Sequence, residues 1–273
     1  MCCSETNQMQ QLEEVIEKYG RDRKTQIVSA EADSAEAEED TPDESSVTLF
    51  FTKDGYFKKI TPISLRMSGE QKLKEGDVIT QVAESTNAHD LLFFTTNAQV
   101  YKSRVADFQD GKASVLGDYV ASKLEYDEGE ASLYMIDTRD YSGFVIFVFD
   151  NGRVAKVPLK SYETKTNRKK LIKAYCNKYK IHTVMYFKDD CDILLKSTNN
   201  RMLLVNTAMI PAKTTKDNGG IAVMTQKKGQ RIFTAEVYND GTLENPRRYR
   251  TKNLPAAGAL PQAHKSTQTQ LDI

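Results

Sequence analysis

Four stretches of the chain share one pattern of apolar and polar positions. They read LFFTKDGYFKKI (49–60), LFFTTNAQVYKSR (92–104), FVFDNGRVAKV (147–157) and LLKSTNNRMLLV (194–205). Each has an apolar, β-rich arm, a short polar turn, and a second arm in which apolar residues alternate with polar or basic ones. That period of two, bounded by turn residues, predicts four β-hairpins. The turn pairs are Asp54-Gly55, Asn97-Ala98, Asn151-Gly152 and Asn199-Asn200, types that favour or tolerate the positive φ of a type I′ turn. Further strand-like stretches lie between the hairpins: 77–85, 131–138, 181–187 and 230–238. Helical periodicity is nearly absent from this part of the chain, so the expected fold class is all-β.

The hairpins recur at intervals of 43, 54 and 48 residues, counted from Gly55 to Ala98, Gly152 and Asn200. A repeat of this length with several strands per unit implies a propeller-like array. One hairpin cannot bury its apolar face alone, so neighbouring units must stack to make a core. The expected organisation has four parts. Residues 1–28 form a helical leader, with Met9, Leu12, Val15 and Ile16 on one face and Gly20 as a stop. Residues 29–46 are acidic, small and nearly devoid of apolar side chains, and are read as a disordered linker. Residues 47–255 form the repeat domain, and 256–273 a disordered tail.

Charge sharpens this division. The 273 residues carry 38 Lys plus Arg and 38 Asp plus Glu, a formal net charge of zero. The cancellation is between an acidic leader and linker and a basic body, which points to a polyanion as partner for the body. The strongest basic run is 156–180, with Lys156, Lys160, Lys165, Arg168, Lys169, Lys170, Lys173, Lys178 and Lys180 against Glu163. Smaller clusters sit on the second hairpin arms: Lys58 and Lys59, Lys102 and Arg104, Arg153 and Lys156, and Arg201. Stacked blades would align them along one edge, where they would neutralise phosphates without reading bases. The alternatives are a solvated loop for the run, and charges that discourage edge-to-edge strand pairing for the clusters. The same ambiguity attaches to Arg247, Arg248, Arg250 and Lys252.

Other chemistry is sparse. The four cysteines and three histidines have no metal-ligand spacing, and no phosphate-loop or catalytic serine or zinc-protease motif occurs. No catalytic, cofactor-binding or metal-binding residue is expected. No apolar run approaches the length of a membrane span, and the N-terminus lacks the form of a secretion signal. A soluble, cytoplasmic protein with free thiols is the expectation.

The hairpin FFTKDGYFKKI resembles the blade motif in the C-terminal domain of DNA gyrase and topoisomerase IV A subunits. DLLFFTTNAQVYKSRVADF (90–108) resembles the next blade, and GGIAVMTQKKGQRIFTAEV (219–237) another. EEVIEKYGRDRKTQIV is similar to the segment in which the coiled-coil tower of these subunits returns before that domain. The resemblance covers roughly residues 13–255. It implies a β-pinwheel with a basic rim that binds and bends duplex DNA, here open and with about four blades where family members usually have five or six. It also implies a non-catalytic chain whose partners are duplex DNA, the topoisomerase catalytic core and the ATPase B subunit, with ATP and Mg²⁺ bound elsewhere in the holoenzyme. Two features depart from the family. The glycine- and arginine-rich motif tied to tight wrapping in gyrase is replaced by RMSGEQKLKEGD (66–77), which points toward a topoisomerase IV-like or degenerate gyrase role. No active-site tyrosine can be assigned, which leaves a binding domain or a fragment. A protein-interaction propeller or a decayed fragment without DNA affinity are the other readings.

Overall fold

The structure, a computed structural model, describes residues 9, 13–15, 17–19, 44–67, 70–164 and 169–262. It divides into two units, Met1–Thr41 and Pro42–Ile273. In the first, the described residues are helical. The predicted linker lies outside the described residues as far as position 43.

In chain order the strands of the second unit are β1 (Ser46–Thr52), β2 (Tyr56–Ile60), β3 (Ile79–Thr86), β4 (Asp90–Thr95), β5 (Val100–Arg104), β6 (Asp118–Tyr119), β7 (Ser132–Thr138), β8 (Phe144–Phe149), β9 (Arg153–Pro158), β10 (Lys170–Leu171), β11 (Ile181–Phe187), β12 (Asp192–Ser197), β13 (Met202–Asn206), β14 (Ile221–Ala222) and β15 (Ile232–Val237). They form four sheets, ordered β3-β1-β2-β6, β10-β5-β4-β7, β11-β8-β9-β14 and β13-β12-β15. All four predicted hairpins are present, as is each of the four strands predicted between them.

The turns differ from type I′. Gly55, Ala98, Gly152 and Asn200 have φ of 87°, 54°, 78° and 61°, whereas the residue before each is not left-handed. In three of the four, the N–H of that left-handed residue (Gly55, Gly152, Asn200) donates to the carbonyl three residues earlier. A turn closed in this way and followed by one left-handed residue is the usual longer hairpin connection, and it needs positive φ at a single position. That is why Ala98 and Asn200 can stand where glycine stands in the other two blades.

Each blade is completed by the next. The two-residue strand β6 follows the second hairpin but pairs with β2 of the first. In the same way β10 follows the third hairpin and pairs with β5, and β14 follows the fourth and pairs with β9. The stretch 219–237, which resembles a single blade, is therefore split: β14 completes the third sheet and β15 belongs to the fourth. The fourth blade receives the end of the described chain instead. Ala259 bridges Met202, Arg250 bridges Leu204, and Ala256 bridges Met224. Residues 256–262, expected to begin a loose tail, are drawn into the sheet because β13 otherwise has an open edge. Two donated strands require glycine. A Cβ on Gly117 would lie 2.4 Å from the Phe57 carbonyl oxygen, and one on Gly220 2.1 Å from that of Val154.

The hydrophobic pattern follows from the stacking. Val47, Leu49, Phe51 and Phe57 of the first blade pack on Leu91, Phe93 and Tyr101 of the second. Leu92, Phe94 and Val100 turn the other way, onto Val145, Phe147 and Phe149 of the third. Ile146 and Val148 then meet Ile193, Leu195, Leu203 and Val205 of the fourth. Strands between two neighbours are buried on both faces, so DLLFFT and FVIFVF are continuous apolar runs, while β1 (SVTLFFT) alternates over most of its length. Phe51, Phe93, Phe94, Phe147 and Phe149 of the hairpin arms are buried, whereas Phe50 lies half-buried on the outer face of the first blade. The outer face of the fourth blade is covered by its own chain, with Leu194, Met202 and Leu204 under Tyr238, Leu243 and Tyr249. Strands β3, β7, β11 and β15 approach one another in succession, which puts them toward the axis of the array and the donated strands at its periphery. Gln81 ties the first two of these strands through both its amide groups, at 2.8 Å each, to the backbone of Met135.

Candidate nucleic-acid interface

The second hairpin arms carry the basic residues that the sequence aligns along one edge. Counted four residues on from the left-handed turn position, they are Lys59, Lys102, Lys156 and, in the last blade, Leu204. The Lys59 ammonium is 5% exposed and binds Asn87 Oδ1 at 3.0 Å and Asp110 at 3.1 Å. That of Lys102 reaches Thr164 Oγ1 at 3.2 Å and lies 5.0 Å from the centre of the Tyr141 ring. That of Lys156, also 5% exposed, binds Asp190 and donates to the Thr207 carbonyl at 3.2 Å. All three span the same joint, between the loop entering the next blade and the segment leaving that blade's hairpin. They clip neighbouring blades together.

The other arm residues are committed as well. Lys58 is buried and donates to the carbonyls of Lys72 (2.7 Å) and Ala113 (3.3 Å), and burial holds its amine below the ordinary lysine value. Arg153 grips the donated strand through the carbonyls of Gly219 and Gly220 while lying over the Tyr179 ring. Arg201 does the same through Gly258, at 2.8 Å. The expectation that the second arms present their cations to a ligand is corrected for Lys58, Lys59 and Lys156, which are buried and whose ammoniums are satisfied by oxygens brought from distant parts of the chain. Lys102, Arg153 and Arg201 are half-buried and bonded to neighbouring segments.

Exposed cations recur on the segments that cross from one hairpin back to the preceding blade. These crossovers are 105–119, 159–175, 207–222 and 246–259, and each touches its blade in the same place. Gly111 N–H donates to the Lys59 carbonyl, Lys102 N–H to that of Lys169, Lys213 N–H to that of Lys156, and Thr251 N–H to that of Leu204. Lys213 makes this contact itself, Lys112 and Lys252 lie one residue beyond it, and Lys169 accepts through its carbonyl, so each crossover carries an exposed lysine at or next to its contact with the blade. Of the remaining predicted residues, Lys173 is exposed and Arg104 lies exposed at the end of β5. Lys160 pairs with Glu163 at 2.6 Å, and Lys170 with Asp127 at 2.8 Å, a contact that raises the Lys170 value. Lys165 and Arg168 lie outside the described residues. Lys112 and Lys213 were not singled out in the sequence because each stands outside a basic cluster there; only the fold shows that both lie on crossovers.

Ser85 Oγ and His89 Nδ1 both bind Asp137, at 2.8 and 3.0 Å. The hydroxyl thus donates to the carboxylate and not to the imidazole, so the trio ties β3 to β7 and activates no nucleophile. Among the described residues no group of three or more His, Cys, Asp or Glu is placed to hold a metal, and no helix is long and apolar enough to cross a membrane.

An all-β array of four interlocked blades with a basic periphery is the class that fold and surface define. No family model matches the chain. It is 30% identical over 164 residues to the A subunit of DNA gyrase from Streptomyces coelicolor, a match covering 57% of this chain and 19% of that one. It is 26% identical over 248 residues to the DNA gyrase A subunit of Mycobacterium bovis, covering 85% and 29%. The chain thus spans less than a third of the length of these relatives. Among solved structures, the C-terminal domain of DNA topoisomerase IV superimposes with a TM-score of 0.63 at 23% identity, over 72% of this chain and 62% of that one. The E. coli ParC C-terminal domain gives 0.61 at 15% identity, over 81% and 95%. Its fold is that of these β-pinwheel C-terminal domains, and its sequence is similar to part of the A subunits of DNA gyrase.

Proposed function

We propose that this chain binds and bends duplex DNA as the C-terminal part of a gyrase or topoisomerase IV A subunit. In this reading, cleavage and strand passage belong to the catalytic core, and ATP and Mg²⁺ to other parts of the enzyme, including its B subunit. Work on DNA implies a cytoplasmic location. The observation that carries the reading is the recurrence of exposed lysines on the four successive crossovers. A periphery of this kind attracts the phosphate backbone without reading sequence, and each phosphate contact adds close to one unit to the salt dependence of binding. Titration of a fluorescent duplex of about 40 base pairs with the full chain at several salt concentrations tests it. Binding that weakens steeply with salt, together with faster cyclisation of short DNA when the protein is added, is the expected result. Failure to bind at low salt would overturn it in favour of a protein-binding propeller.

A further inference from the structure

The four crossovers are equivalent in backbone and unequal in charge. The first carries Lys112 among three exposed or half-exposed carboxylates, Asp107, Asp110 and Asp118. Its surroundings are balanced too: Lys72, bound to it through the Ala113 carbonyl, shares its segment with Glu70 and Glu75. Arg104 sits next to Asp107, whose carboxylate accepts the Arg104 N–H at 2.8 Å. The second crossover has Lys169 and Lys173 exposed, with Glu163 as its one acid, already paired with Lys160. The third presents Lys213 with one exposed acid, Asp217, and is followed by a loop on which Lys227, Lys228 and Arg231 are exposed. The fourth contains no acid and presents Arg247, Arg248 and Lys252, while Arg250 is held by Asp192 at 2.6 Å.

Resting on the DNA-binding reading above, we infer that the duplex runs over the second, third and fourth crossovers and gains nothing from the first. A phosphate backbone following the periphery meets unpaired cations on three successive blades. At the first blade it meets one exposed cation, Lys112, outnumbered by Asp107, Asp110 and Asp118. The contact is therefore one-sided: DNA is held at the C-terminal end of the array and released at the end that joins residues 1–44.

Charge-reversal variants of the full chain, one per crossover, test this: Lys112→Glu, Lys169→Glu with Lys173→Glu, Lys213→Glu, and Arg247→Glu with Lys252→Glu. All of these side chains are exposed, and unchanged urea midpoints would verify folding. The second, third and fourth variants should each lower the slope of log K against log salt by about 0.9 per residue changed. Lys112→Glu should leave slope and affinity within about twofold of the parent. Equal losses from Lys112→Glu would overturn the one-sided track while leaving DNA binding intact, as would losses confined to a single crossover. Absence of binding by the parent chain at low salt would instead remove the reading on which the track rests.

Discussion

Replacing Lys156 by methionine separates a clip from a DNA contact. The ammonium is 5% exposed, binds Asp190, donates to the Thr207 carbonyl at 3.2 Å and lies 4.3 Å from the centre of the Phe144 ring. Methionine has nearly the same length and fills the space, so little cavity cost is expected. What is lost is a charged hydrogen bond to a buried carbonyl, worth about 1.5–3 kcal/mol, and an ion pair. Stranding one member of a fully buried pair costs about 3–5 kcal/mol. Asp190 is 37% exposed and can rehydrate, so the lower range applies and about 2 kcal/mol is expected. With a urea m-value of about 2–3 kcal/mol/M, the midpoint should fall by roughly 0.7–1 M. Adding Asp190→Asn should recover part of the loss, since the stranded carboxylate is then neutral. The same Lys156→Met protein should bind duplex DNA with an unchanged salt slope. Stability within about 0.5 kcal/mol of the parent, together with a slope lowered by about 0.9, would show that the ammonium faces phosphate and would refute the clip.

Three other outcomes are expected. Gly220→Ala sets a methyl group 2.1 Å from the Val154 carbonyl oxygen at a φ of 63°, and should cost several kcal/mol, about 3 or more, in urea unfolding while opening β14 to hydrogen exchange. Arg201→Ala removes the grip on Gly258 and should speed proteolysis within residues 250–262 with a loss of about 1–2 kcal/mol. The Lys156 ammonium, helped by the Thr207 hydroxyl, holds the Asp190 carboxyl below its ordinary value of 3.8. A carboxyl depressed in the folded state stabilises above its unfolded value and loses that effect as pH falls through the folded one. Lys156→Met should therefore flatten the fall in stability below about pH 4, measured as urea midpoints across pH.

The hairpins were legible in the chain because everything that makes them is local. Alternation along Ser46-Val47-Thr48-Leu49, the continuous run Phe144–Phe149 and turn residues able to take positive φ are each read within a dozen positions of the chain. Even the number of covered faces can be read, since a strand with one neighbour alternates and a strand between two does not. The tertiary structure alone decided how the blades interlock. Asp118–Tyr119, Lys170–Leu171 and Ile221–Ala222 are two residues long, too short for any periodicity, and each finds its partner across a whole intervening hairpin. It also decided which cations are available. Lys156 and Lys213 look alike as residues in a sequence. The first ends beneath Asp190 and Thr207, brought from the next blade, and the second stands in solvent on a crossover. A lysine's role depends on whether distant oxygens close over its ammonium, and only the assembled fold brings them there.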